Sequence, residues 1–209
     1  MMARSSSPTE ERASSSRKVR NTASPREQED AILEAARGEF EDNGIRRTGV
    51  DDVAKRAGVS RSTLYRRFPN KEALLLGVAE RIYLDGMMLL EQATVGHGPQ
   101  EAVVEAFLAG AQLVNNDPLI RRMMVDERDA LKGITNSVTG LFIEIVTGRI
   151  MKTLRAAGAK MPDEDLHAVT EILVRLVISY LDTPAMDESR SEPEAVRDYA
   201  QRYLATMVW

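Results

Sequence analysis

The 209-residue chain contains no cysteine and only two histidines. Disulfides and thiolate metal sites are therefore excluded. His97 and His167 are far apart in sequence, and neither has a second histidine at helical spacing. A metal site built from carboxylates alone remains an alternative, although no pattern supports it. We expect neither a metal nor a cofactor.

Long apolar runs are also missing. No run approaches the ~20 residues that a membrane-spanning helix needs. The charged residues that interrupt the longest candidates are Asp85, Arg121, Glu144, Arg175 and Asp182. The N-terminus is rich in Ser and Arg and lacks the apolar core of a secretory signal. We therefore expect a cytoplasmic protein without a membrane partner.

Signatures of catalysis are absent as well. The stretch "GHGPQE" (96–101) lacks the pattern of a nucleotide-binding loop, and no predicted strand precedes it. No Ser/His/Asp arrangement or zinc signature is present. The acidic pair Glu164 and Asp165 lies at a predicted helix start, where acids complement the helix dipole. We expect no enzyme and no catalytic residues.

What is present is the composition of a globular protein, 43% hydrophobic and 29% charged, with enough length to bury a sizeable core. The charge is uneven along the chain. Residues 1–70 hold 14 Lys and Arg against 11 Asp and Glu, a balance of +3, whereas residues 71–209 hold 14 against 21, a balance of −7. A basic front on an acidic body suggests one face for a polyanion, although the asymmetry alone is weak evidence.

The periodicity predicts an all-α fold of nine helices, since no alternating strand pattern occurs. Residues 1–23 read as a disordered tail. Ser24, Pro25 and Glu27 form a capping-box signature for the first helix, and Gly44 ends it. The first helix is predicted at 25–43. The fourth to ninth helices are predicted at 71–92, 99–115, from 118, 136–157, 162–182 and 193–207.

A helix-turn-helix pattern lies between the first and fourth helices. Ala54, Gly58 and Leu64 have the spacing A-x3-G-x5-L. A small residue lets two helices approach, glycine takes the positive φ of the turn, and the apolar residue faces the first helix of the pair. Ser60 caps the second helix, which we expect to span Arg61 to Arg67.

That second helix divides into two sides. Leu64 and Phe68 are four apart and turn inward. The remaining side chains face outward or lie at the boundary, where Arg suits guanine or phosphate and short hydroxyls suit base edges. They are Arg61, Ser62, Thr63, Tyr65, Arg66 and Arg67. The alternative is a basic helix face that is merely solvated.

The longer stretch "TGVDDVAKRAGVSRSTLYRRFPNKEALL" (48–75) resembles the N-terminal DNA-binding domain of the TetR family of transcriptional regulators, and it decides in favour of DNA binding. The resemblance implies a DNA-binding domain at 24–70 and an effector-binding and dimerisation domain at 71–209. It also implies that Arg61, Ser62 and Thr63 contact bases. Tyr65, Arg67 and Lys71 match positions that usually hold phosphate.

Two departures from the family pattern affect this expectation. Gly49 stands where many relatives carry a hydroxyl residue that caps the second helix and contacts phosphate, so Thr48 is the candidate to replace that contact. Ser62 replaces a frequent glycine. In the tail, Arg17, Lys18 and Arg20 either reach a minor groove or add only nonspecific attraction.

A single recognition helix reads few base pairs, so we expect a homodimer on a palindromic operator. The last two helices each carry an apolar stripe, which faces either a partner or its own core. The stripes are Val169, Leu173, Leu176, Val177 and Tyr180, and Val196, Tyr199, Tyr203, Leu204 and Met207. The family resemblance favours a four-helix interface between subunits.

The middle helices are then the candidate sensor for a small apolar effector, although core packing is the alternative for each apolar residue and a solvated helix face is the alternative for Arg122. The candidates are Phe107, Arg122, Met123, Met124, Phe142 and Ile145. The sequence thus predicts a ligand-responsive repressor that an effector releases from DNA. An effector-independent or activating regulator is the alternative. An architectural DNA protein would be basic overall, which this chain is not.

Overall fold

The computed structural model describes residues 24–123, 143–183 and 187–209. Those residues form nine α-helices and no β-strand, which confirms the predicted all-α fold. The helices are α1 (Pro25–Asn43), α2 (Val50–Arg56), α3 (Arg61–Arg67), α4 (Lys71–Thr94), α5 (Pro99–Asn116), α6 (Pro118–Arg121), α7 (143–156), α8 (Asp163–Asp182) and α9 (Pro193–Tyr199). The tail 1–23 and the predicted start of the seventh helix at 136 lie outside the described residues.

Helix α1 begins and ends where its local signals place it. The Ser24 hydroxyl accepts a hydrogen bond from the backbone N–H of Glu27 at 3.2 Å, and the Glu27 carboxylate accepts one from the N–H of Ser24 at 2.6 Å. At the other end Gly44 has φ 83°, and its N–H donates to the carbonyl of Phe40 at 3.0 Å. The capping box and the glycine stop are confirmed.

A first hydrophobic cluster fills the space between α1, α2, α3 and the start of α4. Its buried members from these helices and their loops are Ile32, Ala35, Ala36, Phe40, Ile45, Val53, Ala54, Leu64, Phe68, Leu74, Leu75 and Val78. Leu119 of α6 joins the same cluster from 41 positions further along the chain and is fully buried. Helix α6 therefore packs against the N-terminal helices.

A second cluster lies among α5, α7, α8 and α9. Its largest buried side chains include Phe107, Leu154, Met161, Leu166 and Val208. The carbonyl of Trp209 accepts hydrogen bonds from the N–H groups of Lys160 at 2.7 Å and Met161 at 3.0 Å. The last residue of the chain thus closes the loop between α7 and α8.

Helix α4 connects the two regions. Its first half places Leu74, Leu75 and Val78 in the first cluster, and its second half places Met87 in a small cluster with α7 and α8. At Gly86 an added Cβ would lie 2.9 Å from the Leu113 side chain of α5. The two long helices α4 and α5 therefore approach closely at that position.

Helix α9 differs from the single helix predicted for 193–207. The α-helix ends at Tyr199, a wider π turn follows over Ala200–Leu204, and a 3-10 turn covers Ala205–Met207. The buried residues 196, 200, 204 and 208 recur every four positions. At 3.6 residues per turn, side chains four positions apart shift progressively around the helix. One wide π turn reduces this shift and keeps the four buried residues on the same side.

The longest described helices, α4 and α8, carry both charged and large apolar side chains on their exposed sides. On α8 the guanidinium of Arg175 pairs with Glu171 at 2.6 Å, one turn away. Among the helices of the described ranges, none has the length and apolarity to cross a membrane.

Candidate nucleic-acid interface

The turn between α2 and α3 has the geometry that the motif predicts. Gly58 has φ 65°, and its N–H donates to the carbonyl of Lys55 at 3.2 Å. The next N–H, of Val59, donates to the carbonyl of Ala54 at 3.0 Å. This pair of hydrogen bonds is a Schellman motif, which ends α2 and directs the chain into α3. A residue with a side chain would be strained at Gly58.

Helix α3 is anchored on one side and exposed on the other. The Ser60 hydroxyl accepts from the N–H of Thr63 at 3.1 Å and caps the helix. Leu64 is fully buried and Phe68 nearly so. Tyr65 is 47% exposed. The helix is therefore held by two apolar side chains while its other side faces solvent.

The hydroxyls at the start of α3 are close to one another. Ser60 Oγ lies 3.0 Å from Ser62 Oγ and 2.8 Å from Thr63 Oγ1. Ser62 is exposed and Thr63 is half-buried. These hydroxyls can exchange their mutual hydrogen bonds for bonds to base edges, since each carries both a donor and an acceptor.

Arg61, the first residue of α3, pairs with a carboxylate that the sequence reasoning missed. Its Nη2 lies 2.9 Å from Oδ2 of Asp51 in the first turn of α2, and the Arg61 side chain is 72% exposed. Asp51 lies ten positions earlier, and only the tight turn brings the two together. The available signal in the sequence was the A-x3-G-x5-L spacing, because it fixes the turn that brings the start of α2 close to the start of α3.

The two arginines at the end of α3 have different surroundings. Arg66 is exposed and has no hydrogen-bond or ion-pair partner in the part of the chain that the structure describes. Arg67 is only 16% exposed, pairs with Glu29 of α1 at 3.2 Å, and buries its Nε without a partner. Arg66 is therefore presented to solvent, whereas Arg67 mainly ties α3 to α1.

Lys71 stands at the first position of α4, beside the loop that follows α1. Its ammonium donates to the carbonyls of Arg46 at 2.9 Å and Thr48 at 3.2 Å. An ammonium has three donors, so one remains for an anion. Lys71 thus fixes the loop to α4 and still presents a positive charge at a helix N-terminus.

Thr48 is a predicted DNA contact whose surroundings do not favour that role. The residue is 4% exposed, and its hydroxyl lies 2.8 Å from the carbonyl of Gly44 and 3.0 Å from that of Glu39, to which it donates. The hydroxyl is therefore occupied inside the first cluster and does not replace the missing contact at Gly49. Gly49 caps α2 without a side-chain hydrogen bond, as its lack of a side chain requires.

Within the described part of the chain, the candidate effector residues do not line one common space. Phe107 is buried in the second cluster, with its ring centroid 6.3 Å from that of Tyr199. Met123 packs against the first cluster instead, and Ile145 is 48% exposed. Arg122 ends α6 and is half-buried. Met124 and Phe142 lie outside the described residues.

The two apolar stripes of the last helices are divided between core and surface. Leu173, Val196 and Leu204 are buried in the second cluster, so own-core packing accounts for them. Tyr180 is 44% exposed and Tyr203 is 55% exposed. The rings form a ladder, with centroids 6.3 Å apart between Tyr180 and Tyr199 and 5.3 Å apart between Tyr199 and Tyr203.

Ile172 on α8 is also 51% exposed, although it lies outside the predicted stripe. Together with Tyr180 on α8 and Tyr203 in the π turn that follows α9, it leaves large apolar groups in solvent. We refer to these three residues as the α8–α9 face.

The fold and the turn define a class of protein: a helix-turn-helix domain on an all-helical body. Residues 32–78 match the family described as "Bacterial regulatory proteins, tetR family", and residues 99–202 match "Bacterial Tetracyclin repressor, C-terminal domain". The chain belongs to the TetR family and is a DNA-binding transcriptional regulator of that family rather than an enzyme.

Individual relatives agree with this assignment. The chain is 27% identical to the HTH-type transcriptional regulator AlkX of Mycobacterium tuberculosis over 176 residues, which cover 82% of this chain and 79% of AlkX. It is 40% identical to the regulator EthR of the same species over 84 residues, 39% of this chain and 38% of EthR. The crystal structure of the TetR family repressor AlkX from Dietzia sp. strain DQ12-45-1b, implicated in biodegradation of n-alkanes, shares the fold, with a TM-score of 0.64, 24% identity, and 85% and 95% of the two chains covered.

Proposed function

We propose that the protein is a homodimeric repressor that binds a palindromic operator through α3 and is released by a small apolar effector. The observation that carries the proposal is the division of α3. Leu64 and Phe68 anchor the helix, while Arg61, Tyr65 and Arg66 remain exposed.

In this proposal the residues of α3 and α4 have separate roles. Arg61, Ser62 and Thr63 read base edges in the major groove, because they occupy the first turn of the recognition helix. Arg66, Tyr65 and Lys71 bind phosphate and set the register. Arg67 supports α3 from α1 and contributes only a partly exposed charge.

A dimer places two such helices about 34 Å apart on one face of the duplex. The α8–α9 face is the proposed interface, since it exposes large apolar side chains on α8 and directly after α9, the region that the family resemblance favours. Residues 24–70 are the proposed DNA-binding domain, and residues 71–209 are the proposed effector-binding and dimerisation domain. The proposed location is the cytoplasm, where the operator lies.

The place proposed for the effector is where α4, α7 and α8 meet, and the side chains there are the apolar Met87, Ile143, Val146 and Val174. The apolar character of the effector is supported by the relatives. A relative over most of the chain bears the name AlkX, and a solved AlkX of another species is a repressor implicated in n-alkane degradation. An effector that prefers one of two conformations shifts α4, which begins at the DNA-facing Lys71.

Selection of duplexes from a random pool, followed by fluorescence anisotropy over a range of salt concentrations, tests the DNA-binding proposal. Arg61→Ala should weaken the selected duplex by about 5- to 150-fold and relax the base preference. Arg66→Ala should weaken all duplexes and lower the salt slope by about one. The control Arg190→Ala removes the same charge from an exposed side chain far from α3 in sequence and should bind as the wild type does.

Equal binding of selected and random duplexes by the wild type would overturn the proposal. Addition of n-alkanes and the matching alcohols to the preformed complex tests the effector. Release of the duplex by compounds of some chain lengths supports the proposed effector. If the complex stays intact with every compound, the proposal of an apolar effector fails and the protein binds DNA constitutively.

A further inference from the structure

One carboxylate joins three helices at the junction of α5 and α6. Asp117 Oδ1 accepts hydrogen bonds from the N–H groups of Leu119 at 2.9 Å and Ile120 at 3.0 Å, which caps α6. Its Oδ2 accepts from Nη2 of Arg37 on α1 at 2.7 Å. The Asp117 side chain is 10% exposed. Both oxygens of the carboxylate therefore accept hydrogen bonds, and the side chain lies largely out of solvent.

The same residue also ends α5. The N–H of Asp117 donates to the carbonyl of Leu113 at 3.1 Å. Asp117 is thus the last point of α5, the cap of α6 and the partner of α1. A movement of the end of α5 carries this carboxylate with it. The movement must therefore either displace Arg37 and α1 or break the bond between Arg37 and Asp117.

An apolar contact reinforces the ion pair. Leu119, two residues after Asp117, is fully buried in the first cluster among the helices of the DNA-binding domain. Met123 packs against the same cluster. A partly buried, hydrogen-bonded ion pair beside a buried leucine holds its geometry better than an exposed pair, which solvent and salt screen.

The covalent link between the two regions is the helix α4, which begins directly after α3. A single helical link leaves rotation about that link to be fixed by other contacts. The first half of α4 packs on α1 through Leu74, Leu75 and Val78 in the first cluster, and the exposed ion pair between Asp30 and Arg81, at 3.5 Å, adds little to that contact. The contact of α6 with α1 is a second connection, which comes from the body at a different part of the chain.

We propose that the Arg37–Asp117 contact is a positioning contact for operator binding: it fixes the orientation of the helix-turn-helix relative to the body and so sets the spacing of the two recognition helices in a dimer. This inference rests on the proposed function. It adds a second connection beside α4, through which a shift of α5 reaches the DNA-binding domain.

The test uses the full chain and three variants. Arg37→Gln removes the cation. Asp117→Asn keeps an oxygen to cap α6, because asparagine caps as well as aspartate, but replaces the acceptor facing Arg37 by a donor. The double variant combines the two. The matched control is Glu41→Gln, which removes the other carboxylate that pairs with Arg37, at 2.9 Å on α1 itself.

Three duplexes are compared by anisotropy: the selected operator, the operator with one base pair inserted at its centre, and an isolated half-site. We expect each single variant to bind the operator about fivefold more weakly than the wild type. The double variant should be no weaker than the weaker single variant, because both changes remove one contact. Half-site affinity should stay unchanged, and the penalty for the inserted base pair should shrink.

A merely structural role would lower binding to all three duplexes in parallel, since it reduces the folded fraction, and this outcome would overturn the inference. Operator affinity and spacing preference equal to the wild type would overturn it as well. Arg37→Lys should restore part of the spacing preference. A wild type that fails to distinguish the operator from random duplex defeats the proposed function instead, whatever the variants do.

Discussion

At the scale of single residues, the pair of Arg61 and Asp51 determines what the recognition helix offers in the absence of DNA. The carboxylate lies 2.9 Å from the guanidinium, and both side chains are largely exposed. A phosphate or a guanine edge must compete with this partner, because one edge of the guanidinium is already occupied. We therefore expect Asp51 to lower the attraction of α3 to any duplex and to leave Arg61 for a partner that offers two acceptors.

Asp51→Asn should raise affinity for random duplex by about two- to fivefold and steepen its salt dependence, because it releases Arg61 and removes a negative charge near DNA. Asp52→Asn is the matched control, since it removes the same charge from the same first turn of α2 without touching Arg61. Anisotropy with random duplex measures both. Equal increases for the two variants would mean that net charge alone is responsible and that the pair has no role.

Glu105 and Arg197 form the contact between α5 and α9. Arg197 donates through Nη1 to Oε1 of Glu105 and through Nη2 to Oε2 at 3.0 Å. The hydrogen bond from Arg197 lowers the pKa of Glu105 below its ordinary value of 4.5 and outweighs the burial that raises it. Because the folded-state pKa is below the unfolded one, the pair stabilises the fold above the unfolded pKa, and this stabilisation is lost as the pH falls through the folded-state pKa.

We therefore expect the difference in free energy of unfolding between the wild type and Glu105→Gln to be largest above about pH 5 and to shrink as the pH falls through the acidic range. Urea unfolding at a series of pH values measures it. Glu101→Gln is the control, because Glu101 lies 3.9 Å from the same guanidinium and makes a weaker contact. A difference that is constant with pH would contradict the assignment.

At the scale of elements, α4 depends on a glycine where it crosses α1 and the end of α3. A Cβ at Gly77 would lie 2.8 Å from Leu33 of α1 and 3.1 Å from the ring of Phe68. Phe68 is the residue that ends α3. The space at Gly77 therefore sets how closely α4 approaches the anchor of the recognition helix.

Gly77→Ala should destabilise the protein by about 1–3 kcal/mol, because overpacking displaces Leu33 or Phe68. Gly148→Ala on α7 is the matched control: among the described residues nothing lies within 4 Å of a Cβ added there. That change should stabilise by about 0.5–1 kcal/mol, since alanine favours a helix. Urea unfolding compares them, and stabilisation by both variants would show that the crossing tolerates a methyl group.

The start of α1, the start of α3 and the turn between α2 and α3 followed from the sequence because their signals are local, whereas the end of α9 did not. Ser24, Ser60 and Gly58 act within a few residues, and the structure confirms each. The contacts of Asp51 and Asp117 did not follow, because they join residues that only the folded chain brings together. Thr48 was assigned to DNA because its neighbour Gly49 lacks a hydroxyl. The burial of the Thr48 hydroxyl could not be predicted, because it depends on how α1 packs against the loop after it.

At the scale of the whole molecule, α1 is the element to which the others are fastened. Its acidic residues pair with Arg67 of α3, Arg81 of α4 and Arg56 of α2, and its Arg37 pairs with Asp117. The buried side of α1 meanwhile supplies Ile32, Ala36 and Phe40 to the first cluster. The recognition helix is therefore positioned by α1 as much as by its neighbour α2.

The α8–α9 face is where a second subunit is expected. Ile172→Asp and Tyr203→Asp should each shift the protein from dimer to monomer, raising the dissociation constant by about 100-fold or more, because a buried unpaired carboxylate opposes association. Analytical ultracentrifugation measures the change. Val95→Asp is the control, since Val95 is 76% exposed in the loop after α4.

The monomers should keep half-site binding and lose the preference for two half-sites, because only the dimer links both recognition helices. Variants that sediment as the wild type does would place the interface elsewhere.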